Sequence, residues 1–249
     1  MSEPTAPIRR FYKEAVVSHA EAGGHAVLLD ARTLRTPMKA PLVLPTEALA
    51  AAIVAEWAGQ GEVVRPETMP LTRLANVALD RTPEARGDIA AMIRGYGETD
   101  LLCHRADRPE GLVARQASAW DPPLAWAAQS LGVTLVPVAG VMATEQHPAS
   151  LDRIAAAALA LDDFSLTGLA HAVGVTGSAV LGLALACEAE FRGEALFAAA
   201  ALDELWGQEV WGEDAELTTR LERLKGELAA LEEWFLALGA ERVRMQIPD

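Results

Sequence analysis

The fold class is decided by residues 11–57, which read FYKEAVVSHAEAGGHAVLLDARTLRTPMKAPLVLPTEALAAAIVAEW. Phe11–Ser18 and His25–Leu29 are short runs typical of strands, and residues 21–24 (EAGG) form a turn signal between them. Residues 30–33 give a second turn, and residues 36–45 form an extended segment whose three prolines suit edge strands and loops. We therefore predict a small β-meander of about 40 to 45 residues at the N-terminus.

The hydrophobic period changes from two to about 3.6 at Thr46. Leu49, Ile53 and Trp57 fall on one face of a helix that Thr46 can cap. Further helices are expected at 69–80, 86–95, 112–131 (broken at Asp121-Pro122-Pro123), 149–161, 164–173, 176–187, 190–209 and 214–238. Two β-like runs, 100–104 and 133–142, are expected to pair with each other or to extend the N-terminal sheet.

The predicted architecture is α+β, with a small N-terminal β-rich domain (1–68) and a larger, mainly α-helical C-terminal domain (69–249). The last helix carries an apolar seam in steps of four and three residues, as in a heptad repeat. Its members are Leu217, Leu221, Leu224, Leu228, Leu231, Phe235 and Leu238. Two interpretations stay open: the seam packs within the protein's own bundle, or it binds a partner.

Composition excludes several classes of function. The net charge of −14 argues against nucleic-acid binding, which needs clustered Lys and Arg, and against an anionic membrane surface. Cys103 and Cys187 are far apart in the sequence, which favours a reducing compartment over a disulfide framework. We see no stretch apolar enough for membrane insertion and no secretory signal or presequence before Arg9, so we expect a cytoplasmic protein.

No motif for catalysis or for cofactor binding survives inspection. Gly95-Tyr96-Gly97 lacks the third glycine of a dinucleotide loop, and the 174–178 segment (GVTGS) lacks the lysine of a phosphate-binding loop, so ordinary helix capping is expected there. The five histidines stand singly, and no serine or cysteine lies in a nucleophile context. We therefore expect no enzyme activity, no metal and no cofactor.

Acidic residues cluster near the C-terminus, close to two tryptophans. The cluster consists of Glu209, Glu213, Asp214 and Glu216. Trp206 and Trp211 flank its start, and each is followed by a glycine that weakens helical continuity. Tryptophans beside a helix break are core anchors in the first interpretation and binding hot spots in the second.

Ordered sequence blocks over nearly the whole chain resemble one chaperone family. The blocks are residues 10–13 (RFYK), 29–37 (LDARTLRTP), 56–57 (EW) with Gln60, 69–76 (MPLTRLAN), 99–102 (TDLL), Gln116, 120–122 (WDP), Trp126, 166–186 and 211–216 (WGEDAE). The chain is thereby similar to the chaperones that assemble the catalytic head of F-type ATP synthases, in particular the member that binds the alpha subunit.

This resemblance implies a role that composition does not show. It implies an ATP-independent chaperone that binds the unassembled alpha subunit, prevents its aggregation and works as a monomer. Organellar relatives would act in the mitochondrial matrix, whereas this chain is expected in a bacterial cytoplasm. A helix break near Trp211 would present Glu213, Asp214 and Glu216 beside it as a partner-binding rim. The alternative is a small-molecule enzyme that uses the carboxylates near Trp211.

Overall fold

The structure, a computed structural model, describes residues 8–21, 23–140, 144–188 and 191–239. It divides into two compact units, Met1–Pro83 and Glu84–Asp249. Short strands precede a larger helical region, which confirms the α+β class. Residues 69–83 belong to the first unit, whereas the boundary predicted after residue 68 assigns them to the second domain.

The N-terminal unit contains a four-stranded antiparallel sheet. Its strands are β1 (Ala15–His19), β2 (His25–Leu29), β3 (Arg32–Thr33) and β4 (Val43–Leu44). Strand β2 pairs with each of the other three, so it is the centre of the sheet. This confirms the predicted meander, although the first strand begins at Ala15 rather than Phe11. Ala22, in the first predicted turn, lies outside the described residues.

Two helices complete this unit, α1 (Glu47–Ala58) and α2 (Pro70–Asp80). Thr46 caps α1 as predicted, with its side chain accepting a hydrogen bond from the Leu49 amide at 3.2 Å. The Glu56 carboxylate joins the helices by accepting the Leu71 and Thr72 amides at 2.7 and 2.8 Å. Buried side chains of the sheet and both helices form the core, namely Val27, Leu42, Leu44, Leu49, Ile53, Leu71 and Ala75.

The C-terminal unit is built from helices. They are α3 (Thr82–Glu98), which starts at the end of the first unit, α4 (Glu110–Ser130), α5 (Pro148–Ala160), α6 (Asp163–Thr176), α7 (Ala179–Cys187), α8 (Gly193–Ala200), α9 (Leu202–Trp211) and α10 (Ala215–Leu238). Every residue of α7 is buried, so this short apolar helix is the centre of the unit. Helices α4, α6, α8 and α10 pack around it.

The two β-like runs of the C-terminal region pair with each other, in a shortened form. Strands β5 (His104–Arg105) and β6 (Val138–Ala139) make a parallel pair. Leu101–Cys103 is a 3-10 turn rather than a strand, because the Asp100 side chain accepts the Leu102 amide and tightens the backbone. The end of the second run, at 141–142, lies outside the described residues.

The structure corrects the predicted break at Pro122 and Pro123, because helix α4 runs unbroken through both prolines. Each proline removes a backbone hydrogen-bond donor from the helix, yet the tertiary packing of α4 outweighs that loss. Trp120 is fully buried, and its Nε1 donates to the Ala199 carbonyl at 2.8 Å. Pro123 itself is buried. The tertiary contacts therefore hold the helix where local sequence predicts an interruption.

The helix predicted over 190–209 is also corrected, because two helices, α8 and α9, cover most of that range. Ala201, with φ −109° and ψ 15°, separates them. Ala201 and the neighbouring Leu202 are buried, so core packing sets the change of direction. Residue 190 lies outside the described residues.

The apolar seam of α10 faces the protein's own bundle. Five of its members are buried, namely Leu221, Leu228, Leu231, Phe235 and Leu238, while Leu217 and Leu224 are half-buried. The helix packs on α6 and α8. Trp234, which lies off the seam, is also buried and donates its Nε1 to the Phe164 carbonyl at 3.2 Å. The structure therefore favours the internal interpretation of the seam, with five of its seven members buried and the other two half-buried.

Candidate client-binding surface

The acidic cluster lies at the junction between α9 and α10. Gly212 ends α9 with φ +96°, a left-handed conformation that favours glycine. Gly207, the other glycine expected to weaken the helix, stays helical inside α9. The chain therefore turns at one position, directly after Trp211.

Trp206 anchors α9 to α4. A side chain at Gly111 would come within 2.9 Å of the Trp206 ring, so the glycine lets the indole lie directly against the α4 backbone. The Arg115 guanidinium lies 4.9 Å from the ring centre and donates to Glu209 at 2.7 Å. Its hydrogen bond holds the pKa of Glu209 below the usual range. Trp206 and Glu209 thus serve the fold.

Trp211 has the opposite environment. It is 87% exposed, and its neighbour Val210 is 50% exposed. The core-anchor interpretation is therefore wrong for Trp211, although it suits the half-buried Trp206. Packing within the described chain does not account for an indole in this position, and exposed apolar groups of this size are typical of binding surfaces.

Asp214 is exposed and caps α10. Its carboxylate accepts the Leu217 amide at 2.8 Å, and its carbonyl accepts the Thr218 hydroxyl at 2.8 Å. The Gln208 amide in turn donates to the Thr218 hydroxyl at 3.0 Å, which links the last turn of α9 to the first turn of α10. Asp214 therefore fixes the geometry of the junction, whatever else it does.

Glu213 and Glu216 are exposed and, within the described part of the chain, pair with no cation. Glu216 lies in the first turn of α10, where the helix dipole favours a negative charge. Together with Val210, Trp211 and Asp214 they form what we call the corner surface. The four residues predicted from sequence are thus brought together by the turn at Gly212, and all four are exposed.

Several polar side chains outside the corner surface have structural roles. His147 caps α5 by accepting the Ala149 amide, His171 lies 2.7 Å from Glu227, and Asp162 caps α6. Ser178 caps α7 by accepting the Leu181 amide at 3.0 Å, as expected for the 174–178 segment. Within the described ranges, no group of three or more His, Cys, Asp or Glu side chains could hold a metal ion.

Sequence reasoning missed Asp100, a fully buried carboxyl group. It accepts the Ser178 hydroxyl at 2.7 Å and the amides of Leu102 and Val180 at 3.1 and 3.2 Å. Burial raises its pKa to about 6, against the lowering effect of these hydrogen bonds. Burial also raises the pKa of the nearby Cys103 to about 12, so that thiol stays protonated and is a poor nucleophile.

In the part of the chain that the structure describes, no helix combines the length and the apolar character needed to cross a bilayer.

Comparison with known proteins identifies the family. The family model described as ATP12 chaperone protein matches residues 9–128. Atp12 from Paracoccus denitrificans is 41% identical, with a TM-score of 0.84 over 92% of this chain and 98% of that one. The chain belongs to the ATP12 chaperone family. A point mutant of the same Paracoccus protein matches equally well, with 97% of that chain covered. A candidate chaperone from Agrobacterium tumefaciens is 40% identical, with a TM-score of 0.85 over 92% of this chain and 86% of that one.

Membership in the ATP12 family confirms the resemblance that the sequence blocks suggest, which is to chaperones of ATP synthase assembly. The structural match extends well past residue 128, where the family model ends, and takes in most of the helical unit. The corner surface lies beyond the residues that the family model matches, so its function has to be argued from its own geometry.

Proposed function

We propose that this ATP12-family chain binds the unassembled alpha subunit of the ATP synthase catalytic head and keeps it from aggregating. The family supports a chaperone of ATP synthase assembly, and the ordered sequence blocks support the alpha subunit as the client. The proposed mechanism is masking: an apolar area on the chaperone covers client surface that later packs against the beta subunit, and the beta subunit displaces it.

The observation that carries this proposal is the exposure of Trp211 beside unpaired carboxylates. A tryptophan that is 87% exposed presents a large apolar surface to a partner. Glu213 and Glu216 surround it with negative charge, which is the pattern of an apolar hot spot with a charged rim. We therefore propose Trp211, Glu213, Asp214 and Glu216 as partner-binding residues, with Asp214 acting mainly through the shape of the junction.

Masking requires no nucleotide, and we propose that the chaperone acts without ATP. The glycine-containing 174–178 segment, the sequence candidate for phosphate binding, joins α6 to α7. Ser178 is fully buried there and Gly177 adopts φ +70° to join the two helices. These residues support packing rather than ligand binding.

The enzyme alternative receives less support from the same geometry. Catalytic carboxylates are usually buried in a cleft, where desolvation tunes their acidity. Glu213, Asp214 and Glu216 are instead all exposed, and Asp214 is engaged as a helix cap. We further propose that the protein acts as a monomer in a bacterial cytoplasm, since the similar solved structures come from bacteria.

The test is an aggregation assay with isolated alpha subunit, followed by light scattering without nucleotide. We expect Trp211→Ser to weaken the apparent affinity for the client roughly tenfold or more, because it removes a hot-spot side chain. Glu213→Lys should weaken it several-fold by reversing a rim charge, while the melting temperature stays nearly unchanged. Glu222→Lys, an equal charge reversal at an exposed position further along α10, is the matched control.

Three results would contradict the proposal. If protection requires ATP hydrolysis, masking is wrong. If Glu222→Lys weakens protection as much as Glu213→Lys, the effect comes from net charge and not from the corner surface. If Glu213→Lys unfolds the protein, the acidic cluster is structural and is not a binding rim.

A further inference from the structure

The net negative charge of this protein comes from one of its two units. Residues 1–83 contain nine basic and nine acidic side chains, so the N-terminal unit is neutral. Residues 84–249 therefore account for the whole net charge of −14. A cluster of exposed cations on the N-terminal unit can thus attract an acidic partner that the C-terminal unit would repel.

Such a cluster borders a groove on the N-terminal unit. The groove has a volume of about 520 Å³ and lies between the segment before β1 and the β2–β3 hairpin. Its lining includes Phe11, Asp30, Arg32, Leu34 and Arg35. Phe11 is 67% exposed, which makes it the most exposed large apolar side chain described in this unit.

Several groove residues are engaged in holding its walls in place. The Asp30 carboxylate accepts the amides of Lys13 and Glu14 at 3.0 and 2.9 Å, and these hydrogen bonds lower the pKa of Asp30. The Tyr12 hydroxyl donates to the Trp57 carbonyl at 2.6 Å. The segment that carries Phe11 is therefore tied to the turn after β2 on one side and to α1 on the other.

The side chains of Phe11, Arg32 and Arg35 make none of these hydrogen bonds. All three are exposed, and within the described residues no carboxylate pairs with either guanidinium. Arg35 donates one hydrogen bond, to the Lys39 carbonyl at 2.7 Å, which leaves its charge uncompensated. The fixed walls thus present one apolar ring and two free cations to the same groove.

We propose that this groove docks an extended acidic segment of a partner protein that carries one apolar side chain. Two carboxylates of the segment pair with Arg32 and Arg35, since guanidinium groups bind carboxylates in a planar, bidentate geometry. The apolar side chain covers Phe11, whose exposed ring is otherwise in water. Arg9, exposed in an adjoining groove of about 630 Å³, extends the cationic surface along the Phe11 segment.

This docking site is independent of the corner surface and of the identity of the client. The groove lies wholly within the N-terminal unit, whereas the corner surface lies in the C-terminal unit. The partner chemistry is also opposite: acidic at the groove, and suited to a basic rim at the corner surface. Failure of one proposal therefore leaves the other standing.

Fluorescence anisotropy on the full-length protein tests the proposal. The probe is a fluorescein-labelled peptide of roughly ten residues, an extended length of about 33 Å, with glutamates around one central phenylalanine. A peptide with lysines in place of the glutamates is the control. We expect the acidic peptide to bind, and Arg32→Glu and Phe11→Ser each to weaken it roughly tenfold. Binding should also fall as ionic strength rises.

Arg223→Glu is the matched control variant, because it makes the same charge change at an exposed position of α10. It should leave peptide binding unchanged. Three outcomes would overturn the proposal: the lysine peptide binds equally well; Arg223→Glu weakens binding as much as Arg32→Glu; or Trp211→Ser abolishes binding while Phe11→Ser does not. A concentration-dependent dimer that excludes the peptide and is broken by Arg32→Glu would also overturn it, since the occupant would then be a second copy of the chain.

Discussion

Asp100 joins two parts of the C-terminal unit through a single side chain. It caps the 3-10 turn before β5 and, with Ser178, also covers the amides at the start of α7. Burying a carboxyl group disfavours its charged form, and here that effect exceeds the stabilisation from the hydrogen bonds it accepts. Folding therefore favours the protonated form of Asp100.

The stability of the protein should depend on pH through this residue. The pKa rises from 3.8 in the unfolded chain to about 6 in the folded protein. Between these values the folded state binds a proton that the unfolded state has lost, so this contribution is full below pH 4 and is lost as the pH rises through about 6. The loss in the free energy of unfolding between low and neutral pH amounts to roughly 3 kcal/mol.

Urea unfolding of the wild type and of Asp100→Asn between pH 4 and pH 7.5 measures this contribution. Other titrating groups contribute equally to both proteins, so the difference in unfolding free energy is the readout. We expect the wild type to lose stability relative to Asp100→Asn as the pH rises. Parallel curves for the two proteins would show that Asp100 does not titrate in this range.

Two capping residues were predictable from sequence, but the environment of each tryptophan was not. Thr46 and Ser178 are caps both by local pattern and in the structure, because a cap depends on residues within one turn. Trp206 and Trp211 each precede a glycine, yet one packs on Gly111 and the other is exposed. The difference comes from α4, which is distant in sequence, and no local signal encodes it.

In helix α10, too, the sequence predicts the pattern of apolar residues but not how deeply each of them is buried. Its period of leucines predicts an apolar seam, and the structure confirms burial of that seam against α6 and α8. How deeply each leucine is buried depends on where the neighbouring helices end. Leu228 is 3% exposed, whereas Leu224, one turn earlier, is half-buried.

Alanine substitutions should separate these two positions. Leu228→Ala should reduce the free energy of unfolding by about 2 to 5 kcal/mol, because it leaves a cavity in a packed interface. Leu224→Ala should cost less, since water can reach the vacated space. Thermal and urea melts of both variants provide the measurement. If Leu224→Ala costs as much as Leu228→Ala, the seam is buried more evenly than the structure indicates.

Client protection provides a second readout for the seam. A buried seam predicts that Leu224→Ala leaves protection of the alpha subunit intact at temperatures well below its melting point. Weakened protection with little loss of stability would instead assign Leu224 to a partner-binding face. The internal position of α10 would then hold only for its C-terminal half.

At the scale of the whole molecule, each unit carries one candidate binding surface of its own. The neutral N-terminal unit presents Phe11 with exposed arginines, and the acidic C-terminal unit presents Trp211 with exposed glutamates. The α+β class was predictable, because the hydrophobic period changes at Thr46. The end of the first unit was not, because α2 looks like the first helix of the helical region until its tertiary contacts are known.

The tertiary contacts of α2 predict which N-terminal fragment of the chain can fold by itself. Helix α2 buries Leu71 and Ala75 against the first unit, and Asp80 at its end accepts the Thr36 hydroxyl at 2.6 Å and the Met38 amide at 3.0 Å. A fragment of residues 1–83 should therefore unfold cooperatively. A fragment of residues 1–68 should lack a cooperative transition, because the shorter fragment loses part of the core and leaves Glu56 without its backbone partners. Circular dichroism melts of both fragments measure this. A sharp transition for 1–68 would instead place the boundary after residue 68, as the sequence predicts, and α2 would belong with the helical domain.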